Sequence, residues 1–326
     1  MYKGIAFYPD IKFLISEEEI EEKINFLTED NIEKIYEKRN NIAYTYTNNN
    51  IVFSIYNDSL MYISDKQYNE SDWSKSRNRI IKLANLIMSV LNWTSIQNIN
   101  NSQDNSQIYI HSKEITTLNI VHVQTKDDLK DIEYISASKQ AGLEYLKQKS
   151  DKNFFYQNNS SAKIYSFYDF KRFGELVSKN LDYIFNNKLD DIVFMLYRSS
   201  LEVRKSNFDI SIILSFFVIE KMVNLIWIDL LKEKSLKKKL KENRDYTVSI
   251  KSNVLYMNGK ISREELDKID KARQYRNSIA HEKLDFNDRY TFEEIFSIAN
   301  ESFNTACKIF SKYFDIDFKL EMQFIC

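Results

Sequence analysis

The 326-residue chain has three histidines, His111, His122 and His281, and imidazole is the side chain best suited to moving protons near neutral pH. His111 ends the apolar run that starts at Ile108, and His122 lies inside Ile120–Val123; both read as structural strand residues. His281 differs. It closes the segment Lys271-Ala-Arg-Gln-Tyr-Arg-Asn-Ser-Ile-Ala-His281, five residues after Arg276 and eight after Arg273. A titratable base near guanidinium groups, whose planar forks match phosphate oxygens, is suited to phosphodiester chemistry. RNA needs little more, because its own 2′-hydroxyl is the nucleophile. The protein must take that proton, protonate the leaving 5′-oxygen and offset the charge on the phosphorane. No metal or other cofactor is expected, since the sequence has no H-E-x-x-H, no clustered Cys/His and no carboxylate group suited to catalytic Mg²⁺.

The elements that must position these residues are helical. Apolar spacing predicts helices near Tyr168–Phe185, Asp190–Lys205, Asp209–Lys234, Ser262–Ala280 and Thr291–Phe314. In the last, Thr291 and Glu294 have capping-box spacing, and Phe292, Ile295, Phe296, Ala299, Phe303, Ala306, Cys307, Phe310 and Phe314 form one stripe. Residues five apart on a helix diverge by roughly 140°, so Arg276 and His281 share a face only if the helix ends or bends between them. The structural alternative is that Arg276 caps or pairs at a helix C-terminus and His281 stabilises the same end through its charge.

The first half reads differently. Ile42–Tyr46, Ile51–Tyr56 and Leu60–Ser64 are β-rich runs separated by Thr47–Asn50 and Asn57–Ser59, which predicts a three-stranded meander. An amphipathic helix is expected over Asp72–Trp93, a loop over Asn98–Gln107, and β-structure at Ile108–His111 and Leu118–Gln124. The fold class expected is thus an α+β N-terminal domain, residues 1–150, followed by an all-α bundle, residues 161–326, with the boundary in the polar stretch Lys149–Lys163.

Composition excludes several classes. Forty-six Lys+Arg against 47 Asp+Glu argue against a generally basic nucleic-acid coat. Four Gly and one Pro, with no G-x-x-x-x-G-K and no G-x-G-x-x-G, argue against phosphate-cradling loops. Cys307 and Cys326 make no disulfide framework, and Met1–Asp10 lacks a signal-peptide core, so a cytoplasmic location is expected. Phe208–Leu231 carries Asp209, Glu220, Lys221 and Asp229, which fits a buried helix better than a membrane span. Lys232–Arg244 holds seven cations against two anions; Lys237, Lys238, Lys239 and Lys241 there could meet phosphate, or simply be a solvated helix end.

Arg276-Asn277-Ser278-Ile279-Ala280-His281 resembles the R-x4-H signature of the HEPN superfamily of helical-bundle ribonucleases. Tyr275 before it, Phe217-Val-Ile-Glu220 on an upstream helix and the capped helix after it resemble the Apea-like branch over roughly Ser161–Cys326. The resemblance implies a metal-independent endoribonuclease with Arg276 and His281 catalytic, of the toxin or antiviral-defence kind. It also implies a homodimer in which two motifs face one cleft, and a first domain that meets a regulatory protein or ligand. Asn277 matches the polar residue that follows the motif arginine, and Glu220 matches an acid that orients Arg276 or Arg273; Glu220 reaching solvent is the alternative. Because the superfamily includes inactive members, a non-catalytic RNA-binding or protein-interaction scaffold is the other function implied.

Overall fold

A computed structural model of the chain describes residues 2–8, 13–16, 33, 36–48, 50–65, 73–101, 108, 110, 113–125, 129, 132–152, 154, 163–233, 246–281 and 289–320. Two compact units result, Met1–Leu189 and Asp190–Cys326. The first is built on a sheet and the second on helices, the α+β layout expected.

In the first unit, β1 (Tyr2–Phe7), β3 (Ile42–Asn48), β4 (Ile51–Tyr56), β5 (Met61–Asp65), β6 (Val121–Thr125) and β7 (Ile132–Ala137) form a sheet ordered β3-β4-β5-β1-β6-β7. Every neighbouring pair is antiparallel. β2 (Phe13–Ser16) pairs in parallel with β8 (Lys163–Ser166). Register puts Tyr46, Phe53, Ile63 and Ile5 opposite one another in series, hence on one face. That face receives α1 (Trp73–Asn101) and α3 (Phe167–Asn186). The other face gathers Ala6, Tyr8, Tyr56, Tyr62 and Val123 around Ala141 and Tyr145 of α2 (Lys139–Ser150). Central strands buried on both sides need apolar residues throughout, and β5 is buried at all five positions.

Three expectations change here. The boundary between compact units falls at Leu189/Asp190 rather than within Lys149–Lys163, because α3 packs on β3 and α1. Tyr44 Oη and Ser178 Oγ lie 2.7 Å apart, and Tyr46 Oη donates to Asp182 Oδ1 at 2.7 Å. A side chain at Gly174 would strike the Tyr44 ring, so glycine permits this close docking. Second, α1 continues through Asn101, into the start of the expected Asn98–Gln107 loop. Third, Ile108 and Ile110 lie in no strand. The side chains of α1 serve that segment instead: Ser95 Oγ accepts from Ile110 N, Asn92 Nδ2 donates to Ile110 O, and Asn85 bonds both N and O of Ile115. Backbone groups satisfied by a helix have no call for a ladder.

The second unit holds α4 (Asp190–Arg204), α5 (Phe208–Glu233), α6 (Val248–Met257), α7 (Arg263–His281) and α8 (Phe292–Phe314). All four other helices pack on α5. Among the described residues α5 alone is long and apolar enough to cross a membrane, and half of its most apolar window is buried within the chain. Small residues bring α4 close: Ser199 Oγ lies 2.8 Å from both Ser211 Oγ and Ser215 Oγ. The expected capping box of α8 is formed, with Thr291 N donating to Glu294 Oε2 at 2.8 Å and Glu294 N to Thr291 Oγ1 at 3.3 Å. Its stripe is buried at Ile295, Ala299, Phe303, Ala306, Cys307 and Phe310 and partly buried at Phe296, whereas Phe292 in the first turn touches the Phe208 ring yet stays half exposed.

One buried ion pair ties the first unit together. Asp58, in the β4–β5 turn, is wholly buried; it accepts from Tyr8 Oη at 2.9 Å and Lys149 Nζ at 2.8 Å. Lys149 also reaches Asn40 Oδ1 at 2.9 Å, and burial pulls its pKa down against the pull of Asp58. Removing one member of such a pair strands the other charge. Lys149→Met should therefore cost about 3–5 kcal/mol in urea denaturation, whereas Thr291→Ala, which removes an exposed cap, should cost about 1. A Lys149→Met loss below that of Thr291→Ala would show that Asp58 finds solvent.

Candidate active site

α7 begins at a reciprocal cap, in which Ser262 N donates to Glu265 Oε2 at 2.7 Å and Glu265 N to Ser262 Oγ at 3.1 Å. Lys312 of α8 anchors the same carboxylate at 2.8 and 2.9 Å. From there α7 buries Leu266, Ile269, Ala272 and Ile279. Arg276 lies four residues after Ala272 and three before Ile279, so it falls in this inward stripe. Its guanidinium carbon sits 5.6 Å from the centre of the Phe216 ring of α5, and Nη1 donates to Asn277 Oδ1 at 3.0 Å. Arg276 is half-buried, with an aromatic face as its platform.

His281 is placed otherwise. It is the last residue of α7 and exposed, and among the described residues its imidazole takes part in no hydrogen bond or ion pair. α7 runs unbroken from Arg263 through both motif residues, so they project roughly 140° apart, one inward and one outward. The structural alternative is met in part: Arg276, five residues before the helix ends, does not cap it, whereas His281 does stand in the last turn, where a positive charge would favour the helix end.

The supporting residues divide. Asn277 accepts a hydrogen bond from Arg276, a contact that the resemblance did not specify. Arg273 is engaged one turn back, its Nε 3.3 Å from Asp270 Oδ1. Glu220, half-buried on α5, forms no hydrogen bond or ion pair with Arg273 or Arg276 among the described residues. Its charge instead acts on Lys251 of α6, whose Nζ donates to Asn224 Oδ1 at 2.6 Å. Burial lowers the pKa of Lys251, and Glu220 opposes that shift. Lys237, Lys238, Lys239 and Lys241 lie outside the described residues, as does His111. His122 is half-buried in β6, opposite Ile5 and Ser136. Among the described residues no group of three or more His, Cys, Asp or Glu could hold a metal ion.

Sequence reading did not foresee Phe216, Asn224 and Lys251. The available signal was on α5, where Phe216, Glu220 and Asn224 follow at four-residue steps, so that the polar Glu220 and Asn224 fall on one side of a mostly apolar helix. No family model, curated protein or solved structure matches the chain. The site therefore stands on its own chemistry.

That chemistry separates function from stability. Arg276→Ala should cost about 1–2 kcal/mol, the worth of a partly desolvated cation–π contact, and His281→Ala should stay within about 0.5. Urea denaturation measures both; a loss above about 3 kcal/mol in either would make the motif part of the packing.

Proposed function

We propose that the chain is a metal-independent endoribonuclease of the HEPN type, acting as a homodimer through its helical unit. The observation that carries this reading is the contrast within one motif: Arg276 is held on Phe216 with most of its donors unspent, while His281 is committed to no contact among the described residues. A guanidinium has five N–H donors, and among the described residues one of them is used, in the bond to Asn277. The rest can grip phosphate oxygens bidentately.

In this reading His281 accepts the proton of the RNA 2′-hydroxyl, and O2′ forms a bond to phosphorus. Arg276 neutralises the phosphorane. The P–O5′ bond breaks as the departing oxygen takes a proton from a second imidazole, that of the second copy. The unbroken α7, which aims Arg276 and His281 apart, supports a second chain in this reading. That same divergence favours the second reading, a non-catalytic RNA-binding or protein-interaction scaffold, should the chain act alone.

Purified protein incubated with RNA in excess EDTA should produce fragments with 2′,3′-cyclic phosphate and 5′-hydroxyl ends. Arg276→Ala and His281→Ala should each lower the rate by at least about a hundredfold, the usual worth of one acid–base group. Cleavage at the wild-type rate without His281 would overturn the nuclease reading, and RNA binding without cleavage would support the scaffold.

A further inference from the structure

α6 is the element whose part in the site the motif does not announce. It carries Lys251 to the face of α5 that also meets Arg276. On that face Phe216, Glu220 and Asn224 succeed one another at four-residue steps, one above the next. Arg276 lies over the first, Lys251 bonds the last, and Glu220 stands between. The two anchor points are eight residues apart, roughly 12 Å along the α5 axis, and both cations are long side chains able to lean toward the middle.

Lys251 is incompletely served in this position. Among the described residues its hydrogen bond goes to a neutral amide oxygen, and its surroundings remove part of its water. The carboxylate that offsets its charge, Glu220, makes no hydrogen bond to it among the described residues. A partly desolvated ammonium with spare donors is a receptor for an anion. The Arg276 guanidinium at the other end of the face has the same character.

We infer that Lys251 and Arg276 form one track for the sugar–phosphate backbone of single-stranded RNA along α5, and that Glu220 is its resident anion, displaced in effect when phosphates arrive. This rests on the ribonucleic-acid reading above and adds a binding residue and a role for the acid. The role is opposite to the orienting one implied by family resemblance. An orienting acid helps Arg276 hold phosphate, so removing its charge weakens binding. A resident anion competes with phosphate, so removing its charge strengthens binding.

The probe is a 2′-O-methyl oligouridylate, which cannot be cleaved, titrated by fluorescence anisotropy at several salt concentrations with the full chain. Lys251→Gln, which keeps an amide able to meet Asn224, should weaken binding several-fold. It should also reduce the slope of log affinity against log salt by about 0.7, the share of one phosphate contact on a single strand. Lys251→Arg should keep the slope. Glu220→Gln should tighten binding about two- to fivefold at low salt, the size expected when one nearby like charge is removed. An unchanged slope in Lys251→Gln, or weaker binding in Glu220→Gln, overturns the inference while leaving the nuclease reading to its own cleavage assay. The predicted changes without any cleavage of ordinary RNA would support the track and reject the nuclease. Failure of the wild-type chain to bind the probe would reject the track.

Discussion

The burial of α5 is the constraint on which the helical unit depends. A 26-residue helix with an apolar residue at most positions cannot be left to water, and α4, α6, α7 and α8 all pack against it. Covering such a helix fixes the azimuth of each neighbour, and so decides which of their polar residues arrive at Glu220 and Asn224. α7 brings Arg276 because Arg276 occupies a place in its own buried stripe between Ala272 and Ile279. α6 brings Lys251 for a related reason, since Leu255 and Ser252 are buried beside it.

A guanidinium in that stripe is neither a full core residue nor a surface one. Phe216 supports its flat face, Asn277 accepts at one edge, and partial removal of water strengthens its attraction for any nearby anion, in the proposed reading a phosphate. His281 gains nothing from the same packing. It stands at the helix end, where a proton carrier stays in exchange with solvent. The separation of roughly 140° between the two is a property of helical geometry and not of any particular side-chain choice. In the proposed reading, a chain that keeps α7 intact through His281 brings cation and imidazole to one phosphate by meeting a second copy.

Much of the fold is legible in the sequence where burial is one-sided. The meander β3-β4-β5 shows in β-branched and aromatic runs broken by turn residues, and α8 in its cap and stripe. What sequence reading misses has physical reasons. β1 lies between β5 and β6 and is apolar from Ile5 to Phe7, so it lacks the alternation that marks a half-buried strand. α6 has ten residues and exposes Ile250, Tyr256 and Met257, which blurs its amphipathic pattern. Ile108 and Ile110 look like strand residues by composition, but Asn92 and Ser95 on α1 take their backbone bonds. In the site, Arg276, Asn277 and His281 stand out because their spacing is local. Lys251 does not, because its neighbours Glu220 and Asn224 come from a helix that precedes it by about 30 residues and are joined to it by packing alone.

The central claim is that one phosphate is served by motif residues from two copies of the chain. Mixing two inactive proteins, Arg276→Ala and His281→Ala, tests it most directly, because a mixed dimer restores one intact arginine and one intact histidine on different chains. The account predicts that cleavage, absent from either variant alone, reappears after mixing in proportion to the mixed dimers, at a reduced rate per dimer because the leaving oxygen must take its proton from water in place of the missing second imidazole. Full activity of a wild-type monomer, or a mixture that stays as silent as its components while mixed dimers are demonstrably present, would contradict it.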